Sequence, residues 1–311
     1  MSNNNKKYKV TNWREYNTSL KQRGSLTIWF SEDIDQSWLA VKEGKQDRGR
    51  PFIYSDTSMN LMLTLRHIFR LALRQLTGFV ESLFVLIGKV LPIPEFSRLS
   101  KRMNRSLSAL CLPSLEGASH LIIDSTGLKV FGEKEWLETK HGKQYQRKVW
   151  RKLHIGVGKQ GIIVAREMTN HLTDDRACVP SLLNQAGAQE GNDLLADGGY
   201  DSHEVYNYLA NKKIKPIIPP PGHAVIFSAN NPSLRDQTID YIKKKGYWAW
   251  YNKNDYGRRN KVENTLYRLK TLFGRKIVSR NWSNQNAETQ LMCYLLNRMT
   301  SFGMPKTVKA I

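Results

Sequence analysis

Residues 193–218, DLLADGGYDSHEVYNYLANKKIKPII, decide the fold class. Asp193 to Ala196 is a short apolar run that ends on Asp197 and a Gly-Gly pair, the signature of a buried strand stopping at a turn. A helix is expected from about Ser202 to Asn211, followed by a second apolar strand from Ile214 to Ile218. Strand, helix and strand joined this tightly form a parallel pair with a crossover, so the core is α/β.

Working outward, His120 to Gly127 (HLIIDSTG) repeats the theme: an apolar strand predicted to end on an acid, Asp124. Val149 to Met168, with Gly156, Gly158 and Gly161 between its apolar halves, predicts two strands joined by a Gly-rich turn. Thr173 or Asp174 can cap a helix through Val179, Leu182, Leu183 and Ala186, across Pro180. Residues 219–255 read as a small irregular insertion, in which alternation puts Trp248 and Trp250 on one face of a strand. A last amphipathic helix, about Ala287 to Thr300, should pack on the sheet.

The N-terminal part is different. Trp13, Leu26, Ile28, Trp29, Phe30, Trp38 and Leu39 are the expected anchors of a polar, basic segment. From Asp56 a helical period begins and continues across Thr77-Gly78, where a turn between two helices is expected, as in a helix-turn-helix unit. A further helix, about Glu95 to Arg105, sets Phe96, Leu99 and Met103 opposite Arg98, Lys101, Arg102 and Arg105, a basic face suited to phosphates or a groove of DNA. The expected division is therefore an all-α, helix-turn-helix-like DNA-binding domain at 1–115, a catalytic domain at 116–303 and a tail at 304–311.

The chain carries 48 Lys and Arg against 27 Asp and Glu, a formal charge of +21, which implies a polyanionic partner, nucleic acid first. Three scattered cysteines, Cys111, Cys178 and Cys293, suggest neither a disulfide framework nor a thiolate zinc site. The opening MSNNNKKYKV has no apolar signal core, and Phe79 to Leu91 is interrupted by Glu81 and Lys89, so no membrane span is expected and a cytoplasmic setting is. There is no internal repeat, which excludes a solenoid.

Chemistry concentrates in Tyr256 to Lys270, YGRRNKVENTLYRLK. Wound as one helix at about 100° per residue, it groups Tyr256, Arg259, Glu263 and Lys270 beside the apolar stripe of Val262, Leu266, Leu269 and Phe273. In open α/β sheets ligands bind beyond the carboxyl ends of strands, so Asp124 and Asp197 should meet Glu263 there. Three clustered carboxylates repel one another unless a cation compensates. Hard oxygen donors point to Mg²⁺, with Mn²⁺ able to substitute. Two such ions, about 3.5–4 Å apart, can lower the pKa of a water or 3′-hydroxyl and stabilise the leaving oxygen of a phosphodiester.

Three motifs carry a resemblance: LIIDSTGLKVFG around Asp124, ADGGYD around Asp197 and YGRRNKVENTLYRLKTLFG around Glu263. The chain resembles the DDE transposases of bacterial insertion sequences, specifically the insertion-sequence-five family, close to the insertion-sequence-four group. Tyr256, Arg259, Glu263 and Lys270 match that group's spacing of Tyr, two residues, Arg, three residues, Glu, six residues, Lys. KVTNWREYN, RGRP and GMPKTV extend the likeness over nearly the whole chain.

The resemblance implies an RNase H-like catalytic core, a mixed sheet flanked by helices, using two Mg²⁺ ions. It implies Asp124, Asp197 and Glu263 as the catalytic metal ligands, Arg259 and Lys270 holding phosphates, and Tyr256 supporting or contacting the DNA backbone. It also implies binding of terminal inverted repeats by the N-terminal domain, cleavage, joining of 3′-hydroxyl ends to target DNA, and a homodimer or larger assembly in a bacterial, nucleoid-associated setting. The rival expectations are an RNase H-like nuclease or resolvase that cuts without joining, and a domesticated DNA-binding protein without catalysis.

Overall fold

The computed structural model describes residues 8–26, 34–41, 52–115, 117, 120–130, 150–228 and 230–309. Ile28, Trp29, Phe30 and RGRP, named above, lie outside the described residues, as do Phe131 and Gly132 of the first motif. In chain order the elements are β1 (Tyr8–Val10), α1 (Trp13–Arg23), α2 (Ile34–Trp38), α3 (Asp56–Phe69), α4 (Leu73–Leu86), α5 (Phe96–Ser108), β2 (His120–Val130), β3 (Trp150–Val157), β4 (Ile163–Asn170), α6 (Val179–Ala186), β5 (Asp193–Leu195), α7 (His203–Asn211), β6 (Lys215–Ile217), α8 (Leu234–Lys245), α9 (Tyr247–Lys253), α10 (Asn260–Phe273), β7 (Lys276–Ile277), α11 (Trp282–Ser301) and β8 (Thr307–Lys309). The chain divides into two compact units, 1–109 with 294–311, and 110–293.

In the first unit α3, α4 and α5 close over Trp38, Met59, Met62, Leu65, Leu76, Val80, Phe84 and Leu99. Trp38 is fully buried and donates its indole N–H to Pro92 O (2.7 Å), whereas Trp13 and Leu39 are exposed rather than anchoring. The turn between α3 and α4 falls at Arg70–Ala72, not at Thr77-Gly78. Arg70 takes the left-handed conformation (φ 54°) that terminates α3, and Gly78 is carried inside α4, where a lone glycine costs only about 1 kcal/mol. β1 pairs antiparallel with β8, tying the two ends of this unit together.

The second unit is a mixed sheet in the order β4-β3-β2-β5-β6, with β7 on a further stretch of β2. β2, β3 and β4 are antiparallel; β5 and β6 run parallel to β2, as the 193–218 reading requires. Side chains alternate along a strand. Leu121, Ile123, Leu194 and Ala196 join Val179, Leu182, Leu183, Val205 and Leu209 in one buried cluster, so α6 and α7 cover that face. Ile122, Asp124 and Leu195 project from the other, where α10 packs on β2 and β3. Arg166 of β4 donates to Gln290, Asn286 and Thr289 of α11, which fixes the first half of that helix on the sheet.

Residues 219–255 are more regular than expected, holding α8 and α9. Trp248 and Trp250 lie on a helix, so they do not share a face: Trp250 is 4% exposed and Trp248 70%. The alternation of a short aromatic run cannot tell strand from helix.

Candidate active site

β2 does not end at Asp124. It runs on to Val130: β3 pairs with it from Ile122 to Lys129, and β7 takes up Lys129 and Val130. What ends near Asp124 is the pairing on the other edge: β2 and β5 are in register from His120↔Asp193 to Ile122↔Leu195 and then part. Two residues past the last pair stand Asp124 and Asp197, on the same face. Asp197 caps the one-turn helix Gly198–Tyr200, its carboxylate accepting from Gly199 N–H at 2.8 Å. A Cβ on Gly199 would sit 2.9 Å from that same oxygen, so the cap requires glycine.

The segment from Tyr256 is two helices rather than one: a single turn, Tyr256–Arg259, and then α10. The break turns Tyr256 into the protein, where it is 7% exposed and donates its hydroxyl to Ala196 O at 3.0 Å. Its phenol is thus committed to the residue before Asp197. Arg258 reaches Asp193 (3.5 Å) and His120 Nδ1 (3.3 Å), the first residues of β5 and β2. Together these contacts set Glu263, in the first turn of α10, opposite the two aspartates.

Arg259 gathers the three acids. Its guanidinium pairs with Glu263, one helical turn on, and its Nη2 lies 3.4 Å from Asp197 Oδ2 and 3.7 Å from Asp124 Oδ2. Burial pushes the Asp124 carboxyl above its ordinary range, and the neighbouring acids add to this against the Ser125 N–H and Arg259. Lys270 is half-buried on the same side, its ammonium lowered by burial and by Arg275 and raised by Asp124.

The donor set has the chemistry of a hard-cation site: three carboxylates from three elements around one positive group. Among the described residues no three His, Cys, Asp or Glu side chains are gathered closely enough to hold a metal between them. The guanidinium fills that space.

Of the basic face on α5, Arg98, Lys101 and Arg105 are exposed. Arg102 is half-buried: it donates to Tyr54 O and Asp56 (2.5 Å each) and lies over the Phe52 ring at 4.2 Å. Sequence reasoning missed Asp201, which Arg235 of α8 holds in a fork at 2.9 and 2.7 Å, and Asp175, bonded to Ser125 and Lys152. Asp201 belongs to the ADGGYD motif and could have been suspected there; Asp175 had only its Asp-Asp neighbourhood after a strand.

A family profile for a transposase DDE domain matches residues 115–297, more than half of the chain, and a second of the same description matches 21–133. The chain is similar, at 10% identity and TM-score 0.41, to a piggyBac transposase synaptic complex with hairpin DNA, over 94% of this chain and 76% of that one. It is similar to a pre-cleavage Mos1 transpososome at 11% identity and TM-score 0.24 over 84% and 82%, and to a Mos1 mariner paired end complex with Mn at 12% and 0.24 over 94% and 92%. At such scores these likenesses carry no argument. The family profile does, and the chain belongs to the transposase DDE-domain family.

Proposed function

We propose that this chain is the transposase of a bacterial insertion sequence of the insertion-sequence-five type. In this reading 110–293 is an RNase H-like core that hydrolyses DNA at the element's ends and joins the freed 3′-hydroxyls to target DNA. The helical part before it, with Arg98, Lys101 and Arg105 outermost, binds the terminal inverted repeats. Two copies or more act together on a pair of ends.

One observation carries the catalytic half: a single guanidinium touches Asp124, Asp197 and Glu263, residues remote in sequence and drawn from a strand, a turn and a helix. Acids so placed in a +21 chain suit a divalent cation working on a polyanion. When bound there, Mg²⁺ would supply the positive charge that activates the attacking oxygen and steadies the leaving one. The protein's own part is geometric. Tyr256 and Arg258 hold the start of α10 against β2 and β5, and the Gly199 turn aims Asp197. Lys270, half-buried with Asp124 and Arg275 acting on it, would meet a phosphate. Arg259 neutralises the acids and, once released from them, has a fork suited to a phosphate oxygen pair.

The test is Mg²⁺-dependent nicking and joining of inverted-repeat DNA. Asp124→Asn, Asp197→Asn and Glu263→Gln should each abolish nicking and leave end binding unchanged; nicking retained by any of them removes that acid from the assignment. Pre-cleaved ends offered with a plasmid separate the transposase from a nuclease that only cuts, since only the former inserts.

A further inference from the structure

Among the described residues no strand pairs with the edge of β2 facing β5 and β7 between Ile122 and Lys129, and Asp124 lies in that gap. There β3 holds the strand from its other edge, with Asp124 opposite Ile155. On the opposite face Ser125 Oγ donates to Asp175 (2.5 Å), and Lys152 of β3 donates to the other oxygen of Asp175 (2.7 Å) and to Thr173 O (2.8 Å). Burial works to raise the Asp175 carboxyl, but Lys152 and Ser125 hold it below its ordinary range, so it is a fixed, charge-compensated acceptor.

The turn that Asp175 opens, Asp175–Cys178, packs on the turn Gly198–Tyr200 that Asp197 caps. Tyr200 is 2% exposed, its hydroxyl has no hydrogen-bond partner among the described residues, and burial first, then Asp175 ahead of Asp124 and Asp197, opposes its ionisation. One carboxylate therefore stands behind both limbs of the site, bonded to the residue after Asp124 and beside the turn after Asp197.

We propose that Asp175 is a positioning residue: through Ser125 and the Tyr200 turn, it fixes the strand and the turn from which Asp124 and Asp197, the two acids that would hold a divalent cation, meet at Arg259. The proposal rests on the reading of those two acids as metal ligands. The bond to Ser125 is the direct link, and Lys152 compensates the charge of Asp175.

Calorimetric titration of the full chain with Mn²⁺, without DNA, tests this on wild type, Ser125→Ala, Asp175→Ala, the double variant and Asp124→Asn. Removing a supporting partner behind a ligand weakens metal binding by about 10–100-fold. Ser125→Ala should raise the Mn²⁺ Kd by about 10-fold, and the double variant should bind no more weakly than Asp175→Ala, since both break one chain of contacts. A bond that merely stabilises the sheet would lower the melting temperature and leave the Kd unchanged, and that result overturns the proposal. Ser125→Ala keeps the Asp175–Lys152 pair and decides the matter should Asp175→Ala fail to fold. Mn²⁺ binding that Asp124→Asn does not diminish would instead overturn the metal-ligand reading beneath, and this proposal with it.

Discussion

Gly199→Ala should separate activity from stability. The added Cβ would lie 2.9 Å from Asp197 Oδ1, well inside contact distance, with the flexible carboxylate as the part able to yield. Rotating away costs Asp197 its bond from Gly199 N–H (2.8 Å), worth about 1 kcal/mol for a carboxylate this open to solvent. Gly199 is not in the left-handed region, so alanine introduces no backbone strain and recovers about 0.4–1 kcal/mol by restricting the unfolded chain. The two nearly cancel, so the melting temperature should move by no more than a few degrees. The carboxylate, however, leaves its place opposite Asp124 and Arg259, and a displacement of about 1 Å at a reacting centre can cost 100-fold. The assay is Mg²⁺-dependent nicking of inverted-repeat DNA beside a calorimetric melt. Gly78→Ala is the control: its Cβ meets nothing within 4 Å inside α4, so it should stabilise slightly and nick normally. Wild-type nicking by Gly199→Ala would show that the orientation of Asp197 seen here is not the one that matters.

Tyr256→Phe removes the buried bond to Ala196 O and leaves that carbonyl short of a donor, so urea unfolding should show a loss of about 1–2 kcal/mol, with slower nicking and unaltered end binding. On α5, Arg102→Ala should cost about 1–3 kcal/mol because its donors are committed to Tyr54 and Asp56, whereas Lys101→Ala should leave stability alone and reduce the salt slope of DNA binding by about 1. Arg259→Gln takes from Asp124 an influence that lowers its carboxyl, so the group climbs further above 3.8. An acid raised in the folded state gives stability that is complete below its unfolded value and lost as pH rises through the folded one. Metal-free Arg259→Gln should accordingly lose more stability than wild type as pH rises above about 4, and Mg²⁺ should restore more of it; identical melts over that rise would count against a shared guanidinium.

The strand–helix–strand unit at 193–218 was legible because each element is short, locally patterned and set off by turn residues. Helix α5 was legible for the same reason: apolar and basic residues separate at helical spacing. The extent of β2 was not, since Ser125 to Val130 is no apolar run and is extended where Trp150 to Val157 and then Lys276 to Ile277 pair with it. The position of the α3–α4 turn is not legible, because the glycine that suggests a breaker, Gly78, lies inside α4. The backbone instead turns at Arg70, whose side chain gives no sign of a left-handed residue.

The site follows the same division. The pairing of Arg259 with Glu263 is a four-residue spacing and can be read from the helix alone. That the same guanidinium reaches Asp124 and Asp197 depends on register across two strands, which no local pattern encodes. The motif residues nearest to it divide the work in a way their spacing conceals. Placed on one helix, Tyr256 would share the face of Glu263; the tighter turn instead sends it to Ala196 and sends Arg258 to His120 and Asp193. Those two contacts fix α10 to the strands from one side of the sheet, as Asp175 fixes Ser125 from the other. A rigid frame on both faces leaves the Asp197 and Glu263 carboxylates half exposed, with Asp124 more deeply set. On the proposed reading, that is the arrangement expected where the charge between them is exchanged, guanidinium for metal, while the strands stay in place.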